Sequence, residues 1–330
     1  MTEPRTPEAA ESVLPGGVPD RVLVRAPGKV NLALHVGPLG SDGYHELATV
    51  FLALDLVDDV LAERAEGVSV HLTGEVRDDV PLDESNLAHR AATLLRDRSG
   101  TTEGVRLTIT KRIPVAGGMG GGSADAAAAL LACDALWGLD TPWDELLALA
   151  AELGADVPFA LTGGAALGRD RGDRLEAVPA SGSFHLVLVP SEDGISTPKC
   201  YRALDLLRQE GALPDPELPL AVADGLLAAL AEGDAGALAA ELTNDLEAAA
   251  LVLRPDLADT IRAGAFAGAI GGVVSGSGPT IALLTGSREA AEEVATTLRA
   301  EGRAALVASG PARGAHIVND HELHSDGGAR

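Results

Sequence analysis

Apolar residues recur in two rhythms along this 330-residue chain, and the places where the rhythm changes mark its elements. In "RVLVRAPGKVNLALHV" (Arg21 to Val36), β-branched and apolar residues flank an "APGK" interruption, which predicts two strand segments or one bulged strand. "GVSVHLTG" and "GVRLTITKRIPV" alternate apolar and polar positions, as strands of a half-buried antiparallel sheet do. Between them, "DESNLAHRAATLLRDR" places Leu87, Ala91 and Leu94 or Leu95 at helical spacing. A further helix is predicted from about Ser123 to Trp137, ended by Gly138. Thr141 then reads as the N-cap of the next helix, with Pro142 at its first position and Asp144 three residues after the cap; Gly154 stops it.

Past about residue 170 the alternation of elements starts afresh. "SFHLVLVP" predicts a strand, about Leu220 to Leu251 an Ala/Leu-rich helical region, and "GAIGGVVSGSGPTIALLTG" a strand, a small-residue turn and a strand. "SREAAEEVATTLRAEG" predicts a helix and "RAALVASG" a last strand. Two α+β lobes follow, 21–170 and 171–318, flanked by 1–20 and 319–330, which read as disordered ends.

Composition narrows the choice. Hydrophobic residues at 46% support a well-formed core, and no apolar run reaches membrane-spanning length. A net charge of -24 repels nucleic acid and anionic membranes, so a phosphorylated ligand must be held by local features. Cys133, in an apolar helical run, and Cys200, in a loop-like stretch, form no CxxC pair; a disulfide framework and a zinc site are disfavoured, and a cytoplasmic setting is expected. Of 25 basic residues only Lys29, Lys111 and Lys199 are lysines, a hint that the compact ammonium matters where it is kept.

The candidate chemistry gathers at "PVAGGMGGGSADAAAAL" (Pro114 to Leu130). No lysine follows Gly122, so the Walker A pattern fails, and the GxGxxG spacing of a dinucleotide fold fails at Ser123. Successive glycines still let backbone N–H groups converge beside a helix N-terminus, which suits a polyphosphate. The competing reading is that the glycines only permit a tight turn or close packing and Ser123 only caps; seven residues of "GGMGGGS" directly before a helix favour phosphate. Asp125 reads most simply as complementing the helix dipole.

"PVAGGMGGGSADAAA", together with "APGKVNLAL" (Ala26 to Leu34) and "SGSGPTIALL" (Ser275 to Leu284), resembles the three motifs of the GHMP kinases, in their order and across about Arg21 to Ile317. Within that superfamily, "DGYHE", "LGADVPFAL" and "GISTPKCYRALD" resemble the branch that phosphorylates the 2-hydroxyl of a methylerythritol carrying a cytidine diphosphate, in the non-mevalonate route to isoprenoid precursors. The resemblance implies an α+β, two-lobed fold whose N-terminal lobe holds a mixed sheet and the glycine-loop helix. It implies ATP as phosphoryl donor, bound by Asn86, Lys111, Pro114, Val115, Ala116, Gly117, Gly118, Met119, Gly120, Gly121, Gly122, Ser123 and Ala124. Asp156 becomes the catalytic base, with Lys29 polarising the hydroxyl; Asn31 and Thr197 lie near the methylerythritol, and Tyr44, His45 and Tyr201 enclose the cytosine.

Read without the resemblance, five of these residues have an alternative. Asp156 caps a short helix; Lys29 is an edge-strand charge; His45 is an exposed loop histidine; Asn86 is an N-cap; Lys111 ends a solvated strand. Val157-Pro158 is expected to turn the backbone away from helix beside Asp156. The chain departs from the branch at Met119, where leucine is usual, and at Ala124, where a second serine is common. No side-chain metal ligand set is legible, so Mg2+ is expected to arrive with ATP. Two rival functions remain at this point: a kinase of homoserine or mevalonate type, and a non-catalytic nucleotide-binding relative. No nucleic-acid or membrane partner is expected, and the chain is expected as a monomer or weak homodimer.

Overall fold

Arg21–Leu39 forms a single strand, β1, that runs through the "APGK" interruption. Its register against the next strand shifts between Pro27 and Lys29, Asn31 and Ala33, and Val36 and Leu39. The bulged alternative is the one adopted, and bulges re-aim side chains, here Lys29 and Asn31. The computed structural model describes residues 19–74, 80–115, 117–191 and 193–319. Of the expected disordered ends, 1–18 and 320–330 lie outside the described residues.

β2 (His45–Ala65) is the longest strand and was not marked by either rhythm. Ala48 and the run from Val50 to Leu54 are all buried, so both faces are covered and the alternation that betrays a half-exposed strand is absent. β3 (Val68–Gly74), α1 (Leu87–Ser99) and β4 (Gly104–Lys111) follow. β4 pairs antiparallel with β2, but β3 and β4 lie parallel, not antiparallel as their alternation suggested. The helical crossover between them is what permits a parallel pair.

α2 (Gly121–Trp137) is buried on nearly every side, which explains its alanines: small side chains let the sheet and its neighbouring helices approach closely. Gly138 ends it in the left-handed conformation, φ 64°. α3 (Trp143–Leu153) begins later than expected, with Pro142 at the cap position and no side-chain cap. Thr141 does not cap it; its N–H donates to Asp134 Oδ1 at 3.0 Å and belongs to the turn after α2. α4 (Val157–Thr162) starts at Val157 despite the proline after it, because Pro158 falls in the first turn, where a missing N–H costs nothing.

β5 (Ala165–Arg169) and β6 (Arg174–Ala177) make a hairpin that continues the first sheet past residue 170. The second lobe is built from β7 (Phe184–Val189), α5 (Thr197–Gln209), α6 (Asp224–Glu232), α7 (Ala235–Glu241), β8 (Thr243–Asn244), α8 (Glu247–Leu253), α9 (Asp256–Ala267), β9 (Gly271–Val274), β10 (Ile281–Thr285), α10 (Arg288–Ala300), β11 (Leu306–Gly310) and β12 (His316–Ile317). Its sheet, ordered β11-β7-β10-β9, is antiparallel throughout.

The first sheet is mixed, with the path β12-β1-β2-β4-β3, and β8 joins it parallel to β1. Strands from the second half of the chain therefore complete its outer side, beside β1. The Ala/Leu-rich region is three helices and a short strand, broken first at Gly233, whose φ is 73°. Cys200 lies buried in α5, not in a loop.

Candidate active site

Gly120, at φ 70°, precedes α2 and offers no side-chain cap, so first-turn amides of the helix stay available to a ligand. Ser123 is inside the helix and does not cap it. The loop is pinned from both lobes: the Lys29 backbone N–H donates to the Met119 carbonyl at 3.0 Å, the Thr280 backbone N–H to the Gly117 carbonyl at 3.4 Å, and the Ser275 hydroxyl to the Gly118 carbonyl at 3.3 Å. Gly118 has φ 74°, and a Cβ there would collide with the Ser275 carbonyl, so close packing is part of its use. Pro114, Val115, Gly117, Gly118, Met119, Gly120, Gly121, Gly122 and Ser123 line a cavity of about 290 Å³ with Lys111 and Asp125. Ala116 lies outside the described residues. Ala124 is fully buried in the core and lines none of this cavity.

Lys111 is no solvated strand end. It is 3% exposed, with Nζ 2.5 Å from Asp58 Oδ2 and 2.7 Å from Asp125 Oδ2. Asp58 Oδ1 also accepts the N–H groups of Arg112 at 2.6 Å and Ile113 at 2.9 Å, whereas Asp125 Oδ1 is buried with no partner. Two carboxylates thus face one ammonium, and the less supported of them takes the proton. Burial, with Asp58 adding to it, pushes Asp125 up to about 7 against the opposing pull of Lys111. Burial alone would lower the Lys111 ammonium, but Asp125 and Asp58 hold it above its ordinary value. Asp125 is therefore a buried member of a triad, not a dipole-complementing surface residue. Asn86 is the N-cap of α1: its Oδ1 accepts from Ala88 and His89, and its Nδ2 donates to Pro81 at 2.8 Å. Its carboxamide is spent there, outside the loop cavity.

A second cavity, about 310 Å³, joins Lys29, Asn31, Asp156 and Thr197 to Gly118, Gly120 and Ser123. Lys29 is 7% exposed, paired with β2 on one side and covered by the glycine loop at Met119 on the other, so it is not an edge charge. Its Nζ lies 2.8 Å from Asn31 Oδ1 and 3.4 Å from Asp156 Oδ2, and 5.6 Å from the centre of the Phe51 ring. Asn31 Nδ2 donates to Thr49 Oγ1, which donates to the Ala33 carbonyl, so the amide orientation is fixed. Asp156 occupies the cap position of α4 but makes no cap bond, and its side chain is 32% exposed. A carboxylate free of capping duty, beside a buried ammonium, is arranged to exchange a proton with a ligand.

The third cavity, about 680 Å³, holds Tyr44, His45 and Tyr201. Tyr44 is 54% exposed, with the Arg171 guanidinium 3.7 Å from its ring centre. His45 is buried rather than an exposed loop residue. Its Nδ1 donates to the Gly37 carbonyl at 2.9 Å, and its Nε2 is 3.4 Å from Asp205 Oδ2. The His45 and Tyr201 rings lie 5.2 Å apart. Burial, with Asp156 nearby, pushes the Tyr201 phenol up. Thr197 Oγ1 is 2.9 Å from Ser277 Oγ, which joins the start of α5 to the turn between β9 and β10 within the second lobe. Lys199 is exposed and lines none of these three cavities.

Sequence reasoning passed over Arg171, Asp205, Phe51 and Asp58. Asp205 stands one helical turn beyond Tyr201, and Asp58 opens an adjacent acid pair, Asp58-Asp59, inside an apolar strand, both readable cues; Arg171 had none. Among the described residues no group of three or more His, Cys, Asp or Glu side chains is placed to hold a metal ion, and no helix is long and apolar enough to cross a membrane.

Residues 86–164 match the family described as GHMP kinases N terminal domain, and 226–304 the one described as GHMP kinases C terminal. A 4-diphosphocytidyl-2-C-methyl-D-erythritol kinase of Leifsonia xyli subsp. xyli is 51% identical over 305 residues, 91% of this chain and 100% of that protein. The protein of that name from Mycolicibacterium smegmatis is 52% identical over 301 residues, 90% and 92% of the two chains. A crystal structure of 4-(cytidine 5'-diphospho)-2C-methyl-D-erythritol kinase, 37% identical, superposes with TM-score 0.71 over 88% of this chain and 98% of that one. Homoserine kinase from Cytophaga hutchinsonii shares the fold, with TM-score 0.69 at 22% identity over 91% of this chain and 98% of the other.

Proposed function

This chain belongs to the 4-diphosphocytidyl-2-C-methyl-D-erythritol kinase family of the GHMP kinases, and we propose that its three joined cavities transfer the γ-phosphoryl group of ATP to the 2-hydroxyl of that cytidylylated methylerythritol, on the route to isoprenoid precursors. The observation that carries this reading is the Lys29–Asp156 pair, 3.4 Å apart, lining a cavity shared with the glycine loop on one side and with Tyr201 on the other.

Each part has a task that its surroundings suit. Loop and first-turn amides between Gly117 and Ser123 hold the ATP phosphates. Asp156 accepts the proton of the 2-hydroxyl as the new O–P bond forms. Lys29, kept in place by Asn31, meets the negative charge that develops on the transferred group. Tyr44 and Tyr201 flank the cytosine, where stacking contributes about 1–3 kcal/mol, and His45 with Asp205 makes the polar end of that cavity. Lys111 lines the donor cavity as a cation fixed from below.

Mg2+ would come with ATP, bound chiefly by phosphate oxygens, with the Ser123 hydroxyl a hard donor of the right kind at the loop; it supplies charge neutralisation on the phosphates. The reading takes the protein as cytoplasmic, a monomer or weak homodimer, without nucleic-acid or membrane partners; the charge of -24 and two buried free cysteines favour it.

The test is the initial rate of ADP release with the cytidylylated acceptor beside base-free methylerythritol phosphate. A strong preference for the former is expected, and equal kcat/KM for the two sinks the acceptor assignment. Asp156→Asn is expected to lower kcat by about 10²–10⁴ while ATP still binds; turnover near that of the parent removes the base from the mechanism.

A further inference from the structure

The second and third cavities meet at a neck whose shared lining is Leu47, Ala155, Arg171, Thr197 and Tyr201. Arg171 is the one charged side chain among those five. The covalent order of the acceptor is base, ribose, diphosphate, methylerythritol. With the base at Tyr44 and Tyr201 and the reacting hydroxyl at Asp156, the diphosphate falls at the neck. We propose that Arg171 binds the acceptor's diphosphate there, and so selects a cytidine diphosphate over an uncharged cytidine. The proposal rests on the acceptor assignment above.

The surroundings make such a cation necessary. Asp156, Glu152, Asp173 and Asp205 line the same two cavities and the whole chain carries -24, while of the three lining cations Lys29 and Arg202 each belong to one cavity and Arg171 alone stands at the neck. A dianion entering that field without a local partner is repelled.

Arg171 is also held ready. It sits in the turn between β5 and β6, and that turn is pinned to the start of β2 by Leu47 N–H donating to the Asp170 carbonyl at 2.7 Å, with Asp170 itself at φ 60°. Its guanidinium carbon lies over the Tyr44 ring, 3.7 Å from the ring centre, and Nη2 donates to Asp42 Oδ2 at 3.1 Å. Asp42 Oδ1 in turn accepts the Tyr44 N–H at 3.1 Å, which ties the acid, the arginine and the aromatic into one unit. The hydrogen bond to Asp42 uses one edge of the guanidinium. A planar fork can keep its stack on the ring while its remaining N–H donors take two phosphate oxygens, which a lysine could not do.

Calorimetric titration of cytidine and of cytidine diphosphate into the parent, Arg171→Ala and Arg171→Lys proteins tests this, with acceptor KM measured in parallel. Arg171→Ala is expected to weaken cytidine diphosphate and raise the acceptor KM by about 10–100-fold, the range of a charged hydrogen bond, while cytidine affinity stays within about two-fold. Arg171→Lys should fall between. An unchanged affinity for cytidine diphosphate overturns the proposal, as does an equal loss for both ligands, which would make Arg171 only a prop for Tyr44. A parent protein that takes neither ligand overturns the acceptor assignment itself, and the proposal with it.

Discussion

Replacing Asp125 by asparagine isolates the proton that the buried triad shares. In the unfolded chain Asp125 ionises around its ordinary 3.8, whereas in the folded protein it holds its proton until about 7. Between those values the folded state binds the extra proton, so stability is fully present below the ordinary value and falls as pH rises, by up to about 1.4 kcal/mol per unit. From pH 5 to pH 7 that amounts to at most about 3 kcal/mol, less whatever part of the proton Lys111 and Asp58 take up. Asparagine mimics the protonated acid in shape, can still accept from Lys111 through its amide oxygen, and does not titrate. Equilibrium urea unfolding at pH 5, 6, 7 and 8 should therefore show the two proteins within about 1 kcal/mol at pH 5, with the variant pulling ahead as pH rises. Histidines and surface acids are common to both proteins and cancel in the difference. Stability curves that run parallel across the range would mean that Asp125 is charged throughout, and would refute the assignment of the proton.

Two further outcomes can be checked directly. Gly118→Ala puts a side chain into a left-handed residue facing the Ser275 carbonyl; we expect a stability loss of roughly 1–3 kcal/mol by chemical unfolding and a weaker KM for ATP, since the loop loses its seat on the second lobe. Tyr44→Ala should raise the acceptor KM by about 5–150-fold, equivalent to roughly 1–3 kcal/mol of stacking, and steady-state rates at varied acceptor show whether it does.

What the sequence disclosed depended on whether neighbouring residues alone decide the outcome. Gly138 ends α2 where it should because a left-handed glycine stop is a local event. β4 alternates visibly because one of its faces is partly solvated, while β2, buried on both faces, carries no such trace. Alternation also says nothing about direction, so the parallel pairing of β3 and β4 was out of reach. The site behaved in the same way. Lys29 and Asp156 meet only because β1 and α4 are brought together by the whole lobe, and motif resemblance, not local pattern, pointed to the pair. Asn86, by contrast, reads locally as a cap and is one. The link from Asp58 through Lys111 to Asp125 joins three separate elements; an acid in an apolar strand marks Asp58 as unusual, but nothing local says which residues it meets.

β1 has a further consequence through its neighbours. Val24 and Arg25 pair with Ile317 and His316, and Ala33 and Leu34 with Thr243 and Asn244. β1 thus receives two of its partners from segments translated much later. A nascent chain that has reached only residue 170 has the hairpin partner β2 in hand but an open outer edge along β1, a surface on which strands of other molecules could dock. The N-terminal half expressed alone would inherit that open edge, so cutting the chain at the lobe junction exposes a seam that the intact molecule closes with β8 and β12.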